Sequence, residues 1–326
     1  MEIRDNTPLR FSVKTQWETL LAKAGLTPDR DADQTVTVWE QEEMIATGSR
    51  KGNLLKCIAV DPAHRGEDLT AAVLSQLRTG AFAEGHKHLF LYTKPENRLM
   101  FESLFFYPIA QTDKVLLMED KKDGIQNFLS SLSVAHSGEK IGAAVMNCNP
   151  FTLGHRYLIE TAAKECDHVY IFVLSEDQSR FSAYDRMEMV RLGTADLANV
   201  TVLPTGPYLI SNATFPTYFL KDREGATQVH CKLDIAIFEN YFVPKFGITH
   251  RYVGTEPLSP MTAQYNQALK ENLKKTTLIE VPRLETGNVP VSASAVRNAL
   301  DAGGDIRTLV PESTYQYVTQ GGKNNG

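Results

Sequence analysis

From residue 140 onward the chain alternates two hydrophobic patterns. Short, nearly unbroken apolar runs occur at IGAAVM (141–146), HVYIFVL (168–174), NVTVLP (199–204), THRYVG (249–254) and LIEVP (278–282). Between them lie YLIETAAKE (157–165), YDRMEMVRLGTADL (184–197), KLDIAIFENYFV (232–243) and AQYNQALKENLKK (263–275), where apolar residues return at helical spacing. The runs fit strands buried on both faces, and the spaced stretches fit helices with one apolar side. Their alternation predicts a parallel sheet covered by helices, a class whose ligands bind beyond the carboxyl ends of the strands.

The first part of the chain reads differently. WETLLAKAG (17–25) and LTAAVLSQLRTGAFAEG (69–85) have helical spacing, while TVTVWEQEEMIATGS (35–49), LLKCIAV (54–60), HLFLYT (88–93) and KVLLME (114–119) read as strands. This mixture predicts a compact α+β domain over residues 1–119. The polar, Ser-rich DKKDGIQNFLSSLSVAHSGEK (120–140) marks a linker, placed at 120–139, and the parallel-sheet domain follows over 140–326.

Composition narrows the classes. A length of 326 residues favours two cores over one. A formal charge of −5 removes any general drive toward nucleic acid or an anionic membrane surface. MEIRDNTPLRF lacks the basic-then-apolar order of a signal peptide, and no apolar run approaches the ~20 residues that span a bilayer, so a cytoplasmic protein is expected. The four cysteines are scattered without a CxxC and read as reduced, with Cys148 a small buried filler. His86 and His88, in HKH, read as surface residues and not as a metal site.

Two loops change the picture. NCNPFTLGH (147–155) joins the first strand of the parallel sheet to a helix. Backbone amides at such a helix start are unpaired and, with the helix dipole, attract anions. Gly154 lets a ligand approach closely, His155 can donate to a phosphate oxygen and Thr152 adds a hydroxyl. VSASAVRNAL (291–300) repeats the arrangement after the last strand: Ser292 is a suitable N-cap, Ser294 lies near the helix start and Arg297 can reach phosphate from the first turns. Two phosphate-type helix starts on one sheet favour a nucleotide.

NCNPFTLGH and VSASAVR resemble the paired signatures of the nucleotidyltransferase superfamily that carries a TxGH or HxGH loop. The resemblance implies a Rossmann-like parallel sheet and binding of ATP, with Mg²⁺ bridging its phosphates. It implies that His155 stabilises charge on the α-phosphate in flight and that Thr152 positions the nucleophile or the phosphate. Ser294 and Arg297 would hold the β- and γ-phosphates, with Asn149, Gly154 and Ser292 in the same nucleotide-binding set. VGTEP supplies Gly254 and Glu256 as candidates for base and ribose, and SEDQSRFSAYDR supplies Arg180 or Arg186 for the pyrophosphate.

SEDQSRFS, YFVPKFGITHRYVGTEPLSPMTAQYN, IEVPR and VSASAVR together resemble the citrate lyase ligase family, whose first domain is similar to Gcn5-related acetyltransferases. CIAVDPAHRGEDLTAAVL resembles the acyl-CoA pyrophosphate loop of those acetyltransferases. It departs from their pattern at Asp68 and Thr70, and Phe105–Phe106 stands where they carry Gly-Phe. The family implies attack of acetate on ATP to give acetyl-AMP and pyrophosphate. Acetyl transfer then follows to the CoA-like prosthetic thiol of the citrate lyase acyl carrier subunit. Neither nucleic acid nor membrane is an expected partner. NATFPTYF (212–219) is a candidate lining for the acetate pocket. The alternative keeps the fold and changes the acceptor to a phosphorylated small metabolite, giving an adenylyl- or cytidylyltransferase.

Overall fold

The computed structural model describes residues 1–320 apart from 136–137, 177–178, 210–214, 221–224, 256–259 and 287–288. The chain forms two compact units. Met1–Gly124 and Pro216–Val229 make the first, and Ile125–Phe215 and His230–Gly326 make the second.

In the first unit β1 (Glu2–Asp5), β2 (Gln34–Glu40), β3 (Glu43–Lys51), β4 (Leu54–Val60), β5 (Phe90–Thr93), β6 (Tyr107–Gln111) and β7 (Leu116–Glu119) form one sheet. Its order is β1-β2-β3-β4-β5-β7-β6. Three helices, α1 (Phe11–Lys23), α2 (Leu69–Ala83) and α3 (Arg98–Ser103), accompany it. Val73, Leu74 and Leu77 of α2 pack with Val36, Ile45, Leu55, Leu91 and Met118 of the strands. All neighbours run antiparallel except β4 and β5. Those two pair in parallel only at Leu54–Phe90 and Leu55–Leu91. Beyond that point Ile58–Val60 and Leu91–Thr93 line a cavity of about 720 Å³. The domain is therefore a mixed α+β fold. β1 carries a single apolar residue between charged ones, so no hydrophobic run announces it; its pairing with β2 makes it a strand.

The second unit opens with α4 (Gly124–Ser131), which lies within the stretch read as a linker. There follow β8 (Ile141–Met146), α5 (Leu153–Glu165), β9 (His168–Val173), α6 (Ala183–Gly193), β10 (Val200–Pro204), α7 (Ala226–Ile237) and α8 (Val243–Phe246). β11 (His250–Gly254), α9 (Pro260–Asn272), β12 (Thr277–Val281), β13 (Glu285–Thr286), β14 (Val289–Pro290), α10 (Ala293–Asp301) and α11 (Glu312–Thr319) complete it. Five strands form an all-parallel sheet in the order β10-β9-β8-β11-β12. The strand order thus reverses beside β8, the position at which open sheets of this kind bind ligands. β8 pairs with β9 along its whole length, Ile141–His168 through Met146–Val173, but with β11 only at Gly142–His250 and Ala143–Arg251. Beyond Ala143 and Arg251 the two strands are no longer paired. No described helix is long and apolar enough to cross a membrane.

One boundary differs from the sequence expectation. Residues 216–229 follow β10 in the chain yet pack with the first unit: Tyr218 accepts from the Thr27 amide at 2.8 Å and its hydroxyl donates to the Tyr92 carbonyl. No local pattern encodes a return over such a sequence distance.

Candidate active site

The loop after β8 ends at Thr152, the N-cap of α5. The Thr152 hydroxyl accepts from the His155 amide at 3.3 Å, and His155 Nδ1 accepts from the Thr152 amide at 3.0 Å. This is a reciprocal capping box in which histidine takes the place usual for Glu or Gln. Because Nδ1 is an acceptor here, the ring proton lies on Nε2, and the Thr152 hydroxyl, 2.9 Å away, donates its own hydrogen to Nδ1. Thr152 is 1% exposed and its hydroxyl is committed in both roles. It orients the imidazole.

The ring is held by packing as well. Phe151, fully buried, stacks on His155 with centroids 5.9 Å apart and planes 14° from parallel. Gly193 of α6 makes room for Phe151: a Cβ there would come within 2.4 Å of the ring. Burial, and secondly the positive charge of Arg283, push the His155 pKa down to about 4. At neutral pH the site therefore presents a fixed, uncharged Nε2–H donor.

The second loop touches the first. Ser292 caps α10, its hydroxyl accepting from the Ala295 amide at 3.1 Å. A Cβ on Gly154 would lie 3.1 Å from the Val291 carbonyl oxygen, so glycine permits the two loops to meet at backbone distance. The Leu153 amide donates to the Leu309 carbonyl at 3.0 Å. Arg297 completes the junction, donating from Nη1 to the Asn149 carbonyl at 2.6 Å and from Nη2 to the Ser294 hydroxyl at 3.0 Å. The Asn149 side chain in turn accepts from the Phe181 amide at 3.3 Å. Asn149, Gly154, His155, Ser292, Ser294 and Arg297 are thus brought together.

The two arginines after β9 separate in role. Arg180 reaches α10, donating to the Arg297 carbonyl at 3.3 Å and pairing with Asp301. Arg186 is fully buried and donates to the Asn147 carbonyl at 3.0 Å, the Asn147 side chain at 2.6 Å, the Phe181 carbonyl at 3.2 Å and the Glu176 carbonyl. It ties the loop after β8 to the segment before α6. Cys148 is buried and its thiol is pushed far up by desolvation, so it offers no thiolate nucleophile.

Gly254 ends β11. Its carbonyl accepts from Asn266 at 2.9 Å, and a Cβ there would make only an ordinary 3.6 Å contact with Leu158. Glu256 lies outside the described residues, as do 212–214 of NATFPTYF. Tyr218 and Phe219 of that stretch pack in the first unit, Phe219 parallel to Tyr92. Sequence reasoning passed over Arg283, whose charge acts on His155. The signal available was IEVPR itself, a cation just beyond a strand's carboxyl end. Among the described residues no group of three or more His, Cys, Asp or Glu could hold a metal ion. These side chains build no cage for Mg²⁺.

In the first unit the 720 Å³ cavity is lined by Arg65, Asp68 and Thr70 at the start of α2, by Met100, and by Tyr218 and Phe219. Phe105 occupies a left-handed backbone conformation, φ +62°, where a glycine is the residue without strain.

A profile of the citrate lyase ligase C-terminal domain matches residues 141–318. The citrate (pro-3S)-lyase ligase of Klebsiella pneumoniae is 40% identical over 305 residues, 90% of this chain and 89% of that protein. The Haemophilus influenzae enzyme of the same name is 37% identical over 318 residues, 94% of this chain and 95% of its own. A phosphopantetheine adenylyltransferase of Rubrobacter xylanophilus is 28% identical over 174 residues, 53% of this chain and 88% of that protein. Since the profile takes in both phosphate-type loops and the identity to the ligases runs through both units, the chain belongs to the citrate lyase ligase family of enzymes.

Proposed function

We propose that this enzyme activates citrate lyase by acetylating the prosthetic thiol of its acyl carrier subunit, with acetyl-AMP as the intermediate. An acetate oxygen attacks the α-phosphorus of MgATP and pyrophosphate leaves; the carrier's thiolate then attacks the acetyl carbonyl and AMP leaves. Mg²⁺ arrives with the nucleotide as part of the substrate. The observation that carries the reading is the junction of two helix starts, Gly154 against Val291 and Arg297 against Asn149.

The geometry suits a displacement at phosphorus, where catalysis is positioning plus fixed donors. His155 directs Nε2–H at the α-phosphate, with Thr152 holding the ring by its other nitrogen. Ser292 and Ser294 present the start of α10 to the outer phosphates, with Arg297 and Arg180 as the cations. Gly254 and Glu256 border the base and ribose. The reading puts the reaction in the cytoplasm.

The cavity of the first unit takes the carrier's prosthetic arm. Asp68 at the start of α2 opposes a pyrophosphate there, so the uncharged pantetheine chain and thiol of the arm would enter the cavity with its phosphates outside.

A second reading, adenylyl transfer to a phosphorylated metabolite, draws on the similarity to phosphopantetheine adenylyltransferase. It leaves the first unit without a task. The test is exchange of labelled pyrophosphate into ATP: exchange dependent on acetate supports the ligase reading, and exchange that ignores carboxylates but needs a phosphate ester supports the other.

A further inference from the structure

We infer that Arg186 is a positioning residue of the adenylating reaction: buried itself, it braces the bonds that set Arg180 and Arg297 for the outer phosphates of ATP. The inference rests on the reading above, in which those two arginines meet the triphosphate, and extends it to the residue behind them.

Hydrogen bonds and one peptide link close a ring beside the loop after β8. Arg297 donates from Nη1 to the Asn149 carbonyl at 2.6 Å, and the Asn149 side chain accepts from the Phe181 amide at 3.3 Å. Arg180, the residue before Phe181, donates from Nη1 to the Arg297 carbonyl at 3.3 Å and closes the ring. Arg186, near the start of α6, grips it at two places. Its Nε donates to the Phe181 carbonyl at 3.2 Å, and its Nη1 donates to the Asn147 carbonyl at 3.0 Å and the Asn147 side chain at 2.6 Å. Its Nη2 donates to the Glu176 carbonyl, on the segment that leads from β9 to Arg180. Cys148, between the two asparagines, lies at φ +52°, a left-handed conformation that a residue with a Cβ keeps when its surroundings fix it.

The three arginines divide by exposure. Arg186 is 0% exposed, whereas Arg180 is exposed and Arg297 partly so. An arginine at the surface has several rotatable bonds to order before it can grip a phosphate, and the lost entropy weakens binding. The ring orders Arg297 at the Asn149 carbonyl and Arg180 at the Arg297 carbonyl before any nucleotide arrives. A planar guanidinium, with donors spread in a fixed fork, satisfies Phe181, Glu176 and Asn147 together; a lysine ammonium is a single point on a flexible stem and cannot.

The experiment measures KM for ATP, pyrophosphate and acetate in the exchange reaction for Arg186→Lys, Asn147→Ala and the unaltered full-length enzyme, below the unfolding midpoint of each. The inference predicts that Arg186→Lys raises KM for ATP and for pyrophosphate at least about fivefold, with KM for acetate changed less than about threefold. A residue that only stabilised the fold would lower the unfolding midpoint and the active fraction, while every molecule still folded kept its KM. A rise in KM for ATP smaller than about fivefold in Arg186→Lys therefore overturns the inference. Should that variant not fold, Asn147→Ala carries the test, since Asn147 is exposed and its side chain accepts only part of the Arg186 fork. There the inference predicts a rise of at least about twofold in KM for ATP, and a smaller one overturns it. Absence of exchange in the unaltered enzyme overturns the ligase reading itself, a result separate from either variant's.

Discussion

Gly154 lies against the carbonyl of Val291 so closely that the smallest side chain at residue 154 would stand 3.1 Å from that oxygen. Backbone cannot swing aside as a side chain can. The contact joins the helix start that carries His155 to the one that carries Ser292 and Arg297, and so sets the spacing between the two halves of the phosphate site. Gly154→Ala should therefore disturb chemistry more than folding. We expect a stability loss near 1 kcal/mol and a fall in kcat/KM of tens of fold, the scale on which small misplacements act. Parallel exchange kinetics and denaturant unfolding would separate the two.

His155→Gln isolates the imidazole's chemistry from its capping. Glutamine is a usual partner in a capping box, so Thr152 keeps a side-chain acceptor and the helix start should survive. Turnover should fall by about 10²–10³ with ATP affinity little changed, as for loss of a donor aimed at developing charge.

The same variant should alter acid sensitivity. His155 has its pKa lowered from 6.5 to about 4. Below 6.5 the unfolded chain takes up a proton that the folded ring refuses, so this contribution is whole above pH 6.5 and is lost as pH falls toward 4. Its size is about 1–3 kcal/mol, discounted for the part of the residue that solvent reaches. His155→Gln should flatten the stability profile in that window, read by urea unfolding at a series of pH values; an unchanged slope would contradict the burial argument.

Gly193→Ala should act at second hand. Its Cβ would fall 2.4 Å from the buried Phe151 ring, which has no free space to enter. We expect a loss of about 1–3 kcal/mol from overpacking, together with reduced turnover because Phe151 is the surface on which His155 stacks. Unfolding and exchange rates measured on one preparation would test both.

Tyr218→Phe should divide the two half-reactions. Removing the hydroxyl leaves the Tyr92 carbonyl without the donor described for it, at a cost of about 1–3 kcal/mol, in the wall of the first unit's cavity. Pyrophosphate exchange should stay near normal while acetylation of the carrier slows. Equal effects on both would argue against separate tasks for the two units.

Much of this was legible in residue order. IGAAVM could only be a strand covered on both faces, and TLGH after it a helix start, because the apolar period changes between them. Direction of side chains was not legible. Arg180 and Arg186 stand six residues apart in one loop-to-helix segment; only tertiary contacts show Arg186 spent on backbone carbonyls and Arg180 turned to α10. That the Thr152 hydroxyl also holds the ring of His155, three residues on, depends on rotamers that residue order does not give. Arg283 gave no helix-start signal. The return of residues 216–229 to the first unit is set by packing over a sequence distance that no periodicity spans.

The most direct test of the account is a crystal structure with a non-hydrolysable ATP analogue and acetate. The triphosphate should lie between the starts of α5 and α10, with an α-phosphate oxygen within hydrogen-bond distance of His155 Nε2 and the outer phosphates at Ser294 and Arg297. A nucleotide seated in the first unit's cavity, or anywhere remote from those three residues, would contradict it.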